Sequence, residues 1–134
     1  MANIADVEGI GAAYAEKLGA AGIGTVEKLL EAGASAKGRE DLAGSTSISE
    51  ALILKWVNRA DLARIKGIGG QYADLLEAAG VDSVPELGQR NGANLHAKLE
   101  EVNAAKNLVN RVPSLGEVEE WITQAKALPK VVTH

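Results

Sequence analysis

Apolar residues recur along this chain at three- and four-residue spacings, with breaks at glycine, serine and proline, and that pattern predicts a succession of short helices. Met1–Val7 reads as a lead-in helix with Ile4 and Val7 facing inward. A glycine turn follows, then a helix over Ala12–Ala20 with Tyr14, Ala15 and Leu18 on one face. Gly22 stands where a helix-ending residue belongs. Thr25 is placed to cap a short helix from Val26 to about Glu31, and Gly33-Ala34-Ser35 breaks it. A further helix is expected over Ala36–Ala43, stopped by Gly44-Ser45-Thr46-Ser47. Ser49 then caps the clearest amphipathic stretch, where Leu52, Ile53, Trp56, Val57 and Ala60 share a face and Lys55 and Arg59 lie opposite. Leu95, Leu99, Val102 and Val109 suggest a longer helix within 89–113, ended by Pro113. Ser114 caps the last helix, which should stop near Leu128-Pro129, and the tail to His134 is expected to fray. No alternating run supports a strand, so the expected fold is all-α.

The pattern occurs twice. Val7-Glu8-Gly9-Ile10-Gly11 returns as Ile65-Lys66-Gly67-Ile68-Gly69. Aligned without a gap, residues 4–29 and 62–87 share Ala5, Gly9, Ile10, Gly11, Tyr14, Ala15, Leu18, Ala20, Ala21, Gly22, Val26 and Leu29. After an insertion in 89–113, Ser49, Ile53, Trp56, Val57 and Ala60 match Ser114, Val118, Trp121, Ile122 and Ala125. The chain therefore reads as two similar units, 1–61 and 62–134, each a compact four- or five-helix bundle with its Trp as core anchor.

Composition narrows the function classes. Mean hydropathy of -0.02 fits a soluble protein, and no apolar run is long enough to span a membrane. The absence of cysteine excludes disulfides and thiolate metal sites, and a cytoplasmic location is expected. Net charge is -4, shared evenly by the two halves, which counts against a strongly basic nucleic-acid binder. Four aromatic residues, Tyr14, Trp56, Tyr72 and Trp121, are too few for a base-stacking platform.

Helix, apolar-x-Gly-Ile-Gly turn, helix resembles the helix-hairpin-helix motif. The following Ala-Ala-Gly-Ile-x-Thr-Val-Glu-x-Leu-Leu is similar to the connector in recombinase N-terminal domains. Over nearly its whole length the chain is similar to a bacterial domain-of-unknown-function family of tandem helix-hairpin-helix units. That family's turn before the Trp helix usually reads Thr-Gly-Ile-Ser, whereas this chain has Thr46-Ser47-Ile48-Ser49, a degenerate hairpin. The resemblance implies sequence-blind contact with a nucleic-acid phosphate through hairpin amides, here those of Gly9, Gly11 and Ala13, and of Gly67, Gly69 and Gln71. It also implies a monovalent cation on backbone carbonyls, those of Ala63, Ile65 and Ile68 in the second copy and of Ala5, Val7 and Ile10 in the first.

Charge separates the two turns. Asp6, Glu8 and Glu16 surround the first, with Lys17 opposing, while Lys66 and Arg64 flank the second and Arg59 lies one helix upstream. If either turn holds phosphate, the second is expected to. The supporting Lys or Arg usual after the second glycine is replaced by Ala12-Ala13 and Gly70-Gln71. No small-molecule substrate is expected, and catalysis has little to rest on. His96 and His134 are far apart, no Gly-Lys-Ser/Thr phosphate loop occurs, and no metal-ligand spacing is present. Lys66 or Asp82 could be nominated as a glycosylase residue, but nothing else marks a base pocket. Two readings stay open: a weak, sequence-independent DNA-backbone module, and a protein-interaction or scaffold module that has lost the phosphate contact.

Overall fold

The computed structural model describes residues 3, 4, 7 and 9–133; Met1, Ala2, Ala5, Asp6, Glu8 and His134 lie outside the described residues, and with them most of the expected lead-in helix. What is described there differs from a helix at one point. Asn3 forms an isolated antiparallel bridge with Thr25, and the Ile4 N–H donates to the Gly24 carbonyl at 3.3 Å. Otherwise the described chain is all-α: α1 (Ala12–Ala20), α2 (Val26–Ala32), α3 (Ala36–Thr46), α4 (Glu50–Leu62), α5 (Gly70–Ala78), α6 (Val84–Gly88), α7 (Gly92–Lys106) and α8 (Leu115–Ala127).

The helices fall into two compact units. One holds the chain up to Asp61 together with the tail from Val131, and the other holds Leu62–Lys130. Each has its own apolar core. In the first, Ile10, Leu18, Leu29, Ile53, Trp56 and Val57 come together with Ile4 and Val132. In the second, Ile68, Leu76, Leu87, Val118, Trp121 and Ile122 are joined by Leu95, Leu99 and Val102 of α7.

Local chemistry explains the helix ends. Ile23 N–H donates to Leu18 O at 2.8 Å and Gly22 N–H to Gly19 O at 3.0 Å, a Schellman closure with Gly22 at φ 88°. Val81 to Leu76 and Gly80 to Glu77 repeat it, with Gly80 at φ 95°. Thr25, Ser35, Ser49, Ser83, Asn91 and Ser114 each accept a first-turn N–H, so six helices are side-chain capped at their N-termini.

Two boundaries differ from expectation. Helix α3 runs through Gly44 to Thr46, and the Ser45 and Thr46 hydroxyls bond back to the carbonyls of Asp41 and Leu42 within the helix. It ends where Ser47 turns left-handed at φ 60°. Helix α7 ends at Lys106 rather than at Pro113, because Asn107 adopts φ 50°. Val109 is buried nonetheless, held outside the helix by Asn103, whose amide accepts its N–H at 2.9 Å and donates to its carbonyl at 3.0 Å.

The tail is held as far as Thr133, the last described residue, where fraying was expected. Val132 is buried in the first core, and the Thr133 N–H donates to Ala34 O at 2.7 Å. The buried Arg39 guanidinium donates to the carbonyls of Gly33, Ala34 and Thr133 at 2.9, 3.1 and 2.7 Å. Three carbonyl dipoles around one buried cation replace the water it lost.

Candidate phosphate-contact turns

The two Gly-Ile-Gly turns are built alike. In each, the middle isoleucine (Ile10, Ile68) is buried and anchors the turn, while the glycines beside it are exposed. The Ile10 N–H donates to Val7 O at 3.0 Å and the Ile68 N–H to Ile65 O at 3.2 Å, closing a tight turn. The first glycine of each sits in the left-handed region, Gly9 at φ 90° and Gly67 at φ 100°, where a Cβ is strained. The second glycine, Gly11 or Gly69, is extended and serves as N-cap of α1 or α5.

Those two N-termini stand apart from the rest. With glycine as N-cap they have no side-chain cap hydrogen bond, whereas the other six helices do. Ala12, Ala13, Gly70 and Gln71 are exposed, so the first-turn N–H groups of α1 and α5 face solvent without an internal acceptor. Each presents the positive end of a nine-residue helix next to a glycine turn.

A tryptophan lies under each turn. Trp56 and Trp121 are buried, and each carries a tyrosine ring: Tyr14 on Trp56 at 5.1 Å between centroids and 60°, Tyr72 on Trp121 at 5.3 Å and 54°. These are the tilted geometries that aromatic quadrupoles favour. The tyrosines are not wholly inward, as their pattern suggested. Tyr14 is 36% exposed, and Tyr72 is half-buried with its hydroxyl donating to Arg111 O at 3.1 Å. They edge the turns rather than fill the core.

The expected charged residues are placed differently from one another. Lys66 is exposed at the second turn, and its backbone is clasped by Gln124, whose Oε1 accepts the Lys66 N–H at 2.8 Å and whose Nε2 donates to the Lys66 carbonyl at 3.1 Å. The Arg64 guanidinium donates to Pro129 O at 2.9 Å, which ties it to its own unit's end. Arg59 belongs to the first unit, where its Nη1 lies 3.5 Å from the position a Gly9 Cβ would take. The expectation grouped it with the second turn. Glu8, Asp6 and Ala5 fall outside the described residues. For a cation, the Ile65 carbonyl already accepts the Ile68 N–H and retains one lone pair.

Gln124 escaped sequence reasoning. Carrying the Trp56–Trp121 register onward aligns it with Arg59, and that pairing of long polar side chains beneath the two turns was the available signal. The remaining ionic features are structural. Arg111 holds Glu117 through bonds of 2.8 and 3.1 Å, and Glu117 completes a capping box with Ser114. That pairing with Arg111, helped by the Ser114 N–H, pulls the Glu117 carboxyl down to about 2. His96 Nδ1 lies 3.3 Å from Glu100 on the flank of α7. Among the described residues, no three His, Cys, Asp or Glu side chains gather as metal ligands, and no helix is long and apolar enough to cross a membrane.

No curated protein and no solved structure matches the chain. One family model does, covering residues 8–128, from the first glycine turn to the end of the last Trp helix. With most of its length matched, the chain belongs to the family described as Domain of unknown function (DUF4332).

Proposed function

We propose that this protein is a non-catalytic binding module that holds the phosphate backbone of DNA, weakly and without sequence preference, at its glycine turns, in the manner of a helix-hairpin-helix. One observation carries the reading: α1 and α5, the helices that follow the turns, are the two without a side-chain cap. Uncapped N–H groups beside exposed glycines are ready donors for an anionic oxygen. Amides read phosphate and not base edges, so the contact is blind to sequence. The donors are the amides of Gly67, Gly69 and Gln71, and in the first unit those of Gly9, Gly11 and Ala13. Lys66 supplies the exposed side-chain charge at the second turn. A monovalent cation on the carbonyls of Ala63, Ile65 and Ile68 belongs to the same proposal.

Anisotropy titration of a labelled random-sequence duplex tests it. Binding is expected at low salt, with a log–log salt slope of roughly -2 to -3, because few phosphates are neutralised and each releases about 0.9 counterion. Lys66→Glu should abolish it without unfolding the protein. Tight, salt-independent or sequence-selective binding would refute the phosphate mechanism.

A second reading, a protein-interaction or scaffold module, is favoured by the net charge of -4 and by the engagement of Arg64 with Pro129. It expects no duplex binding even at low salt, and a protein partner whose capture is indifferent to Lys66→Glu.

A further inference from the structure

Gln124 grips one residue at two points. Its Oε1 accepts the Lys66 N–H at 2.8 Å, and its Nε2 donates to the Lys66 carbonyl at 3.1 Å. Only the amide oxygen can accept and only the amide nitrogen can donate, so the two bonds fix which way the side-chain amide faces. Gln124 is half-buried on α8, three residues beyond the buried Trp121, so the grip is anchored on a helix of the same unit.

What the grip controls follows from the turn type. Ile65–Ile68 is a four-residue turn closed by the Ile68 N–H on Ile65 O at 3.2 Å. Its third residue, Gly67, has φ 100°, and Lys66 is not among the residues of positive φ, which is the type II arrangement. Types I and II differ by a flip of the central peptide, here the one joining Lys66 to Gly67. In a trans peptide the C=O and N–H point in opposite directions. A donor on the Lys66 carbonyl therefore holds that peptide in one of its two orientations, with the Gly67 N–H directed away from Gln124. Gly67 and Gly69 are exposed, and among the described residues no acceptor takes either N–H. The flipped peptide would turn the Lys66 carbonyl outward in place of a donor, and an acceptor there repels an anion.

We propose that Gln124 is the positioning residue of the second turn: it holds the Lys66–Gly67 peptide so that the Gly67 N–H, together with that of Gly69, meets an oxygen of a phosphate group. This rests on the phosphate reading above and deepens it by naming what aims the donor. The bond onto the Lys66 carbonyl also polarises the peptide shared with Gly67, which strengthens that N–H as a donor. A turn held in its binding form leaves less to be ordered when the ligand arrives.

The test pairs an amide NMR titration of the whole chain with inorganic phosphate and an anisotropy titration with a random-sequence duplex. Both are run on the unaltered protein, Gln124→Met and Gln124→Glu. Methionine matches glutamine in length but makes neither bond, so the peptide is free to flip. Affinity for both ligands is expected to fall about three- to tenfold, as it does when only about a tenth to a third of the molecules hold the binding form. The salt slope of duplex binding should stay unchanged, because no charge is removed. Gln124→Glu faces the Lys66 carbonyl with no proton to offer and favours the flip, so it should bind more weakly still. A merely structural role would lower the denaturation midpoint and leave the affinity of the folded protein as it was. Gln124→Met binding as tightly as the unaltered protein would overturn the inference and leave the phosphate reading standing. If the unaltered protein binds neither ligand, both fail. Binding of phosphate but not of duplex, weakened by Gln124→Met, upholds the positioning role and removes DNA as the source of the phosphate. Should neither variant fold, the unaltered protein decides. Its Gln124 side-chain amide signals are expected to shift saturably with the Gly67 amide, and Gln124 signals that stay fixed while Gly67 moves overturn the inference.

Discussion

The two turns share a backbone and differ in what lies beneath it. At the second, the Trp121 ring reaches within 2.9 Å of the Gly67 Cβ position, and Gln124 grips both backbone groups of Lys66. At the first, Trp56 stands back to 3.5 Å and shares the space with the guanidinium of Arg59. A duplicated sequence has thus kept its main-chain geometry, with φ of 90° and 100° at the paired glycines, while the polar support diverged. The turn depends on glycine, a buried isoleucine and a buried ring. Beside it lies an amide side chain in one copy and a guanidinium in the other.

That contrast predicts unequal costs for the same change. Both Gly9→Ala and Gly67→Ala force a Cβ into left-handed backbone, which costs on the order of 1–3 kcal/mol. At Gly9 the new atom meets ordinary contacts at 3.5 Å. At Gly67 it would overlap a ring that the second core holds in place, adding about 1–3 kcal/mol of overpacking. Denaturant titration should therefore show the larger loss for Gly67→Ala. Equal losses would mean that the Trp121 ring yields freely and that the two turns are packed alike.

A second difference lies in the tail, which completes the first core and has no counterpart in the second. Truncation after Lys130 removes Val132, whose burial contributes about 1.5–3 kcal/mol, and takes away the Thr133 carbonyl that Arg39 binds at 2.7 Å. Hydrogen exchange should then speed up in α1 to α4, while α5 to α8 keep their protection. Arg39→Met should act in the same direction and by less, about 1–2 kcal/mol, because it leaves buried carbonyls without their donor. Uniform loss of protection across both units would contradict the assignment of the tail to the first.

How legible was this from sequence? The fold class and helices α1, α2, α4 and α8 were, because their periodicity, capping hydroxyls and terminal glycines are local signals. The turns were legible too, since Gly-Ile-Gly states its own backbone requirement. The tail was not: Arg39 reaches the Thr133 carbonyl across 94 residues of chain, and no local pattern encodes that. The end of α7 was misjudged because Pro113 is the louder signal, although Asn107 tolerates the left-handed conformation and stops the helix first. Gln124 was hidden by the divergence itself, since a position that is Arg in one copy and Gln in the other looks unconstrained when the copies are compared.

The smallest expected effect separates the units by pH. Glu117 in the second unit is held to about 2 by Arg111 and the Ser114 N–H, and nothing described in the first unit matches this carboxylate. Its position in the first copy's plan falls at Leu52, which has no charge to titrate. A carboxyl whose folded pKa lies below its unfolded value binds more protons when unfolded, so stability rises with pH between the two values. Its contribution is therefore complete above about 4.5 and is lost as pH falls toward about 2. Glu117→Gln keeps much of the side chain's shape but removes the charge, and it should flatten the acid limb of the second unit's stability over that window. The group is exposed, so the change should be modest and should shrink further in salt. Exchange rates in α8 measured across the acid range would read it, with α4 as the internal control. An acid limb of unchanged steepness in α8 would mean that the Arg111 contact is made equally well in the unfolded chain, and that the second unit gains nothing from its extra ion pair.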